Sequence, residues 1–491
     1  MAVSSVARLL NMCTVEVIVI LHGIAMTMFT MINPLAMYQV ICEKLLQTDV
    51  LLVDQAGVLP SNLQNQSTQS ICASMGQRNF DNETIAWFYK LEFNVQEESA
   101  YWFMVFGLAH SLPDLITDVV LAAYSDENGR KNVILLGLAG VFVVLAVTPF
   151  AYLFPFNVPL WVVALAHGVG GVTGFVSSLL SACATYLADT VMDHQRSLTV
   201  RMTILQVCCI LPTIVGPLVT RGILKVFDYA QVSLSATCLC MLAFIYALVR
   251  LKRITPTNGK KMKNLSETGQ DAYFGKSQVE LPANVDFQTM QQPEHQGDQD
   301  MVQKGPLYWR EDMIAYYRST AGLLKLLGAT AGVLLMKRVL HLSDILIILI
   351  SILSSMAQLI LIGLARESWM LFAAAGAGVL SALANPFIQS FVAKLVASDE
   401  IGKSYTACSL SSDFAYLVSS AVAGAIYRAT LAWFPGFLFL FMAILLGINF
   451  VAVMWLYWDS TKNRLNWCGE GRKWCSGMNR KRKVYQVRAV M

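Results

Sequence analysis

The sequence predicts an all-α, polytopic membrane protein, and two observations carry that prediction. Hydrophobic residues make up 56% of the 491 residues and charged residues only 14%, whereas a soluble domain is about half apolar and about a quarter charged. The apolar residues are also gathered into long runs, each near the roughly 20 residues that a helix needs to cross a bilayer. Helices are expected because backbone polar groups inside a bilayer must be satisfied within the segment itself.

About eleven such runs divide the chain into four segments. The runs lie near residues 15–40, 101–124, 132–154, 158–187, 200–221, 229–250, 312–336, 341–364, 369–395, 404–428 and 432–457. The first six predict an N-terminal transmembrane bundle over 1–250. Residues 251–310 are predicted to be a polar cytoplasmic linker, 311–458 a C-terminal transmembrane bundle, and 459–491 a basic cytoplasmic tail.

The distribution of charge predicts the orientation of the chain. Arg130 and Lys131 follow the second run, a basic cluster follows the sixth, and four more basic residues lie at 480–483. Because basic residues favour the cytoplasmic side, all of these segments and both termini are predicted to be cytoplasmic. The acid-rich loop 41–100 is therefore predicted to be lumenal or extracellular.

That loop carries features typical of an oxidising compartment. Asn65 and Asn82 begin Asn-x-Ser/Thr sequons, which makes both of them candidate glycosylation sites. Cys42 and Cys72 share the same loop, and a disulfide between them is predicted.

The short turn between the second and third runs is unusually charged. In "SDENGRK", Gly129 can adopt the left-handed conformation that ends one helix, and Asp126 is placed to hold a helix N-terminus or a basic side chain. With Arg130 and Lys131 it resembles the D-x-x-G-R-[RK] signature of the major facilitator superfamily, which lies between the second and third helices. In that family the motif holds the two halves together in the outward-facing state. The usual glycine four residues before the acid is Ala122 here.

Five stretches resemble a particular branch of that superfamily, solute carrier family 46. They are "AAYSDENGRK", "YLADTVMDHQRSLTVRM", "GPLYW", "NPFIQSFVAKLVASDEIG" and "YRATLAWFPGFLFL". The resemblance implies two six-helix bundles and secondary active transport of a small organic anion, coupled to protons or another cation, by alternating access. It also implies a plasma or lysosomal membrane location. Apart from the solute, the coupling ion and the lipid bilayer, no partner is expected: no enzyme activity, cofactor, metal or nucleic acid is indicated.

Among the positions that depart from the family pattern are two glutamines. The family's carboxylate in the fifth helix, linked to proton coupling, matches Gln206, and its arginine in the tenth helix, linked to substrate and proton binding, matches Gln389. The resemblance makes both glutamines candidate substrate-binding residues. Their identity favours a solute other than folate.

Ionisable residues inside predicted spans are candidates for function. His110, Asp114 and Asp118 recur every four residues in the second run, so they follow one helix face with a drift of about 40° per step. We predict that they line a cavity or the seam between halves as a proton or cation relay. The alternative is that the two acids pair with basic groups and only hold helices together.

Other candidate residues lie in the first, fourth and seventh runs. Arg318 and Lys325 are seven residues apart, so they share a face and either attract an anionic substrate or pair with the acids. His22 and His167 are expected to face the cavity or to be hydrogen-bonded core histidines. The glycines of 168–174 predict close helix packing.

Between residues 251 and 308 the chain is polar throughout, where the family has its seventh helix. Eleven spans then conflict with the charge bias. The basic segments before and after the run 312–336 are both expected in the cytoplasm, but a single crossing puts its two ends on opposite sides of the membrane. Three explanations compete: a skipped exon or faulty gene model, an interfacial or re-entrant 312–336, or an inverted second half. The alternative function is a truncated, non-transporting isoform, or a receptor or regulatory protein that retains the fold.

Overall fold

The computed structural model describes most of the predicted spans. It covers residues 14–47, 67–74, 82–155, 157–190, 195–252, 311–384, 387–388, 401–430, 434 and 436–470. Asn65, Gln389, most of the linker 251–310 and the end of the tail lie outside these residues. Asp126 and Gln206 lie in helices, but their side chains are also outside the description.

The described residues form helices joined by short turns, with no strand among them. The α-helices are α1 (Val15–Gln47), α2 (Thr68–Ser74), α3 (Asn82–Asn128), α4 (Arg130–Leu153), α5 (Leu160–Val172), α6 (Phe175–Thr190), α7 (Gln195–Leu224), α8 (Tyr229–Arg250), α9 (Glu311–Val333), α10 (Asp344–Gly363), α11 (Ser368–Ala377), α12 (Ile401–Thr430) and α13 (Phe437–Glu470). A π-helical turn, Leu334–Val339, follows α9, and a 3₁₀ turn, Ser381–Leu383, follows α11. The all-helical fold class predicted from the sequence is confirmed.

The loop predicted over residues 41–100 is largely helical where it is described. The first helix continues to Gln47, and α3 begins at Asn82, so α3 has 47 residues. At 1.5 Å per residue it is about 70 Å long, more than twice the hydrocarbon thickness of a bilayer. Residues 82–100 contain no Gly or Pro, and helix formers such as Glu, Gln, Leu and Ala continue the helix beyond the apolar run.

Eight segments of the described chain are long and apolar enough to cross a membrane. They include α1, α3, α4, the combined α5–α6 segment, α7, α8, α10 and α13. The described parts of the remaining predicted runs also form helices. The helices α9 and α12 contain more polar residues, and α11 with its 3₁₀ turn is short.

The chain divides into two compact units. Among the described residues, the first contains α1–α8, α9 as far as Ser319, and the segment Leu410–Leu438. The second contains the remainder of α9, α10, α11, the beginning of α12 and nearly all of α13. Its core packs Met336 against the α10 residues Ile347 and Ile352, together with Leu383 and Phe387.

Three buried apolar clusters follow one another along the first unit. One lies at the end that contains the charged turn and includes Ile18, Ile134 and Leu187. A middle cluster includes Phe29 and Leu145. The third lies at the opposite end, around the beginning of α3, the end of α1 and α2, and is called the disulfide end here because Cys42 and Cys72 are bonded there.

Glycines allow the helices of the first unit to approach closely. A Cβ added at Gly216 of α7 would collide with Thr27 of α1, whose hydroxyl donates to the Pro212 carbonyl at 3.2 Å. A Cβ added at Gly171 of α5 would collide with the backbone carbonyl of His110 in α3. Close contact at the glycines predicted to pack helices is therefore observed, and it fixes the distance between α3 and α5.

We expect Gly171→Ala to destabilise the protein by about 1–3 kcal/mol, because the obstacle is backbone that cannot rotate away. The matched control is Gly222→Ala in α7, since a Cβ there meets nothing within 4 Å. Thermal unfolding of both purified variants in detergent checks this. Equal unfolding temperatures for the two variants would contradict the close approach.

Candidate functional site

The two acids predicted on one face of α3 lie together against α6. The Ser177 hydroxyl donates to Asp118 Oδ1 at 3.0 Å and is 3.3 Å from Asp114 Oδ2. The Ser178 hydroxyl donates to the same Asp118 oxygen. Asp114 is 8% exposed and Asp118 is 3% exposed, so both carboxylates are buried. These hydrogen bonds join the acids to serines of another helix, a pairing that the sequence did not reveal.

A break in the fourth predicted run brings these serines to the acids. The run was expected to be one helix over 158–187, but α5 ends at Val172 and α6 begins at Phe175. Gly174 has φ +75° and Phe175 has φ +30°, both in the left-handed region. Ser177 and Ser178 therefore lie in the first turn of a new helix. The N-terminus of a helix carries partial positive charge, which favours a nearby carboxylate.

Two histidines lie where α3 packs against α5, before the acids along α3. The His110 ring meets the Phe175 ring edge-on, with ring centroids 4.6 Å apart, and it interacts electrostatically with Asp118 and His167. The His167 ring stacks on Phe106 at 5.1 Å, and its Nδ1 lies 2.9 Å from the Val163 carbonyl. His110, Asp114 and Asp118 therefore follow one face of α3, and their role as a relay stays a prediction.

The third candidate histidine, His22, lies in the first helix. His22 of α1 is buried, and neither ring nitrogen has a hydrogen-bond partner among the described residues. The described residues therefore give it no hydrogen bond, and whether it faces the cavity stays a prediction.

The charged signature turn connects α3 and α4 through Gly129, which has φ +91°. Arg130 donates from Nη1 to the Ser125 hydroxyl at 3.0 Å, and Lys131 donates from Nζ to the Leu248 carbonyl at 2.9 Å. Leu248 lies in the last turn of α8, where a cation is favoured by the unpaired carbonyls. The turn thereby fastens α4 to α8, while its role as a latch with Asp126 stays a prediction.

The predicted substrate-binding residues are spread along the chain. Arg318 lies in the first unit and is half-buried, and Lys325 lies in the second unit and is exposed. Gln206 is in α7. Their assignment to a substrate, like that of Gln389, stays a prediction.

An ion pair joins α7 to α9. Arg221 Nε donates to Asp312 Oδ1 at 2.5 Å, and the guanidinium also lies 4.5 Å from the centre of the Tyr316 ring. Arg221 is sixteen residues beyond Leu205, a member of the cluster at the charged-turn end. At 1.5 Å per residue, Arg221 is about 24 Å further along α7, toward the disulfide end.

A second ion pair of the same construction joins α12 to α3. Arg428 Nε donates to Glu97 Oε1 at 2.8 Å, with the guanidinium 5.8 Å from the centre of the Tyr101 ring. Glu97 lies two residues from Val95, which belongs to the cluster at the disulfide end. Both pairs connect a helix of the first six runs to a later helix. Neither was found in the sequence, because the partners are 91 and 331 residues apart.

Among the residues that are described, no group of three His, Cys, Asp or Glu side chains is arranged to hold a metal ion. The described hydrogen bonds of Asp114 and Asp118 join their carboxylates to serine hydroxyls. A pair of buried carboxylates with hydroxyl donors inside an apolar helical bundle is suited to exchanging protons or binding a cation.

The fold is similar to those of solved transporter structures. The chain is similar over 90% of its length to the nucleoside transporter NupG, with a TM-score of 0.56 and 10% identity, and it covers 99% of that chain. It is similar over the same share to the human organic anion transporter MFSD10, with a TM-score of 0.51 and 14% identity, covering 99% of that chain. At these identities the likeness shows the fold alone.

The family model described as Major Facilitator Superfamily matches residues 17–294, more than half of the chain. The protein therefore belongs to the major facilitator superfamily. This confirms the resemblance found in the signature turn.

Proteins of solute carrier family 46 are among the similar sequences, all at low identity. A probable peptidoglycan muropeptide transporter from Drosophila melanogaster is 22% identical, over 80% of this chain and 79% of its own. A lysosomal proton-coupled steroid conjugate and bile acid symporter from Gallus gallus is 24% identical, over 78% and 83%. The proton-coupled folate transporter of Rattus norvegicus is 23% identical, over 73% and 79%. These proteins are transporters, not enzymes.

The hydrogen bonds to Asp118 predict strong coupling between Asp118 and Ser178. In a double-mutant cycle of Asp118→Ala and Ser178→Ala, we expect a coupling energy of about 1.5–3 kcal/mol, because one partner is charged and both are buried. Unfolding by SDS titration measures it. The control cycle pairs Asp118→Ala with Ser235→Ala in α8, whose hydroxyl donates to its own helix. Additive effects in both cycles would contradict the interaction.

Proposed function

We propose that this protein is a secondary active transporter that moves a small organic anion across a membrane by alternating access, coupled to protons through His110, Asp114 and Asp118. Membership of the superfamily supports transport of a small solute. The observation that carries proton coupling is the pair of buried carboxylates held by Ser177 and Ser178 at the break between α5 and α6.

The geometry allows both protonation states of the acids. An ionised carboxylate inside a bilayer needs hydrogen-bond donors, and the two serine hydroxyls supply them together with the N-terminus of α6. A protonated carboxyl is neutral and itself has an O–H to donate, which a serine oxygen can accept. Reversible proton binding is therefore compatible with the same packing. His110, one helical turn before Asp114 on α3, is the group proposed to pass a proton to the acids.

The nature of the solute is inferred from the relatives. Their names specify folate, steroid conjugates and bile acids, and muropeptides, and one structural neighbour is an organic anion transporter. Folate and bile acids carry carboxyl groups, so an anion with an apolar body is the expected class. Arg318 and Lys325 of α9 are the basic residues proposed to attract it, with Gln206 and Gln389 as polar contacts.

The orientation follows from the two chemically different ends of the first unit. We place the disulfide end, with Cys42, Cys72 and the sequons at Asn65 and Asn82, in the lumen or outside the cell, where a disulfide persists. The end with the basic signature turn and both chain termini then faces the cytoplasm. A plasma membrane and a lysosomal membrane both fit this arrangement.

The two ion pairs, one at the disulfide end and one beside the middle cluster, are proposed to close that side of the first unit in the state observed. Glu97–Arg428 and Arg221–Asp312 connect helices of the first six runs to α12 and α9. Alternating access requires such contacts to break when the site opens to that side. Because both pairs are partly exposed, each contributes little energy, about 0–1 kcal/mol, and can break readily.

We expect uptake of a labelled bile acid into proteoliposomes to rise when the outside is acidified. Asp114→Asn and Asp118→Asn should lower acid-driven uptake at least about tenfold, a loss of roughly 1.4 kcal/mol of coupling, because an amide cannot release a proton. Asp228→Asn is the matched control, since Asp228 is an exposed helix cap that asparagine can replace.

Three other results of this assay are informative. Uptake that ignores pH in the unmodified protein would refute proton coupling. Uptake that responds to pH equally in the Asp118→Asn variant would refute the relay. Folded protein that transports none of the folate, bile acid or muropeptide probes would favour the non-transporting alternative.

A charge swap tests the closing role of the Glu97–Arg428 pair. Glu97→Arg or Arg428→Glu alone places like charges together, and we expect either to lower uptake by up to about fivefold, the equivalent of roughly 1 kcal/mol. The double variant restores opposite charges and should recover most of the uptake. Lys90→Glu, an exposed charge reversal on the same helix, controls for net charge. A double variant no better than the worse single one would contradict the pairing.

A further inference from the structure

Another buried carboxylate of α3 has no part in the proposed relay. Glu92 lies at the disulfide end, between Leu91 and Val95 of the buried cluster there. It precedes Asp114 by 22 residues, which is about 33 Å along the helix. Glu92 is 5% exposed, and its one described hydrogen bond comes from Gln96 Nε2 to Oε1 at 3.4 Å. A carboxylate that is buried without a cationic partner is favoured in its protonated, neutral form.

The described basic groups at this end have other partners or are exposed. The ionisable side chains on the helices packed there are Tyr38, Glu43 and Lys44 of α1, Tyr89, Lys90, Glu97, Glu98 and Tyr101 of α3, and Tyr427 and Arg428 of α12, whereas α2 has none. Arg428 pairs with Glu97, and Lys44 donates to the Val158 carbonyl at 2.9 Å. Among the described residues, the ionisable group that interacts electrostatically with Glu92 is the phenol of Tyr427.

The helices α3 and α12 pack side by side in opposite directions, and we call this contact the α3–α12 seam. A Cβ added at Gly424 of α12 would lie 2.9 Å from the Cβ of Met104 in α3. Arg428, one turn further along α12, meets Glu97, which precedes Met104 by seven residues on α3. The two helices are therefore antiparallel, and the seam runs toward the beginning of α3.

Tyr427 brings a second buried polar group to this part of the seam. It is 8% exposed, and its hydroxyl has no hydrogen-bond partner among the described residues. A protonated Glu92 offers one, because its O–H can donate to the phenol oxygen. An ionised Glu92 can accept from the same hydroxyl, but it places an uncompensated negative charge inside the seam.

Proton binding and closure of the seam are therefore linked. Glu92 is buried while the seam is closed, and it meets water if the seam opens. Water stabilises the ionised carboxylate, so Glu92 binds its proton more tightly in the closed state than in the open one. Acid then favours the closed seam, and this preference is lost as the pH rises.

We propose that Glu92 is a second proton-binding site, separate from Asp114 and Asp118, and that its protonation closes the α3–α12 seam over Tyr427 when the lumenal or extracellular side is acidic. The inference rests on the proposed function, because it assumes alternating access and the orientation given above. Its test measures a distance between helices rather than uptake. The seam can therefore fail to respond to pH while uptake stays acid-driven, and the reverse result is equally recognisable.

Pulsed electron paramagnetic resonance measures closure in the purified full-length protein. Spin labels are attached through a keto amino acid at two exposed positions, Lys90 of α3 and Ala429 of α12, because the 11 native cysteines interfere with thiol labelling. We expect one short distance at acidic pH and a second, longer distance as the pH is raised. One linked proton changes the ratio of the two populations by at most about tenfold per pH unit, and we expect a change of at least about fivefold over the range examined.

Three variants identify the group that responds. Glu92→Gln is neutral at every pH, so it should keep the short distance throughout. Glu98→Gln is the matched control on the same helix, because its amide oxygen can still accept the hydrogen bond from Trp102, and it should respond to pH like the unmodified protein. Tyr427→Phe removes the acceptor for the protonated carboxyl and should move the transition to lower pH.

A distance that ignores pH in the unmodified protein would overturn the proposal. So would a normal pH response in Glu92→Gln, or loss of the response in Glu98→Gln. A transition that moves to higher pH in Tyr427→Phe would show that the hydroxyl stabilises the ionised carboxylate instead, which also contradicts the proposal. This last variant keeps the test decisive even where Glu92→Gln fails to fold.

Discussion

The structure of the first unit depends on one constraint: two carboxylates lie buried in a membrane helix and must be given hydrogen-bond partners. Asp114 and Asp118 receive them from Ser177 and Ser178. An uninterrupted helix over 158–187 would have no free N-terminus there. The left-handed turn at Gly174 ends α5 and starts α6 opposite the acids, which brings two hydroxyls and a favourable helix dipole to the same place.

The close packing around this site follows from the same constraint. Hydrogen bonds between α3 and α6 require the two helices to be near each other, and α5 must then pass very close to α3. Gly171 permits this, because any side chain there would strike the His110 carbonyl. The glycines that indicated packing in the sequence therefore also position the acid site. The glycines that pack the helices and the acids of α3 therefore belong to one arrangement.

Family membership and the chemistry of the site answer different questions. The superfamily assignment explains the helical architecture and the signature turn, in which Lys131 binds the end of α8. The superfamily assignment does not explain Asp114 and Asp118. The solute carrier family 46 pattern that the sequence resembles has its coupling carboxylate at the position of Gln206 instead. The acids of α3 are the proposed replacement. Relatives at 22–24% identity leave room for such a change of coupling site within one fold.

The sequence by itself determined the membrane class, most helix positions, the signature turn and the spacing of the acids, because these depend on local composition and helical periodicity. It did not reveal that Ser177 and Ser178 meet the acids, or that Arg428 meets Glu97, since those partners are 59 to 331 residues apart. The sequence also did not reveal that α3 extends over 82–100, because the polar helix-forming residues there give no hydropathy signal. Only tertiary packing decides which distant polar groups become neighbours, because burial makes each of them need a partner.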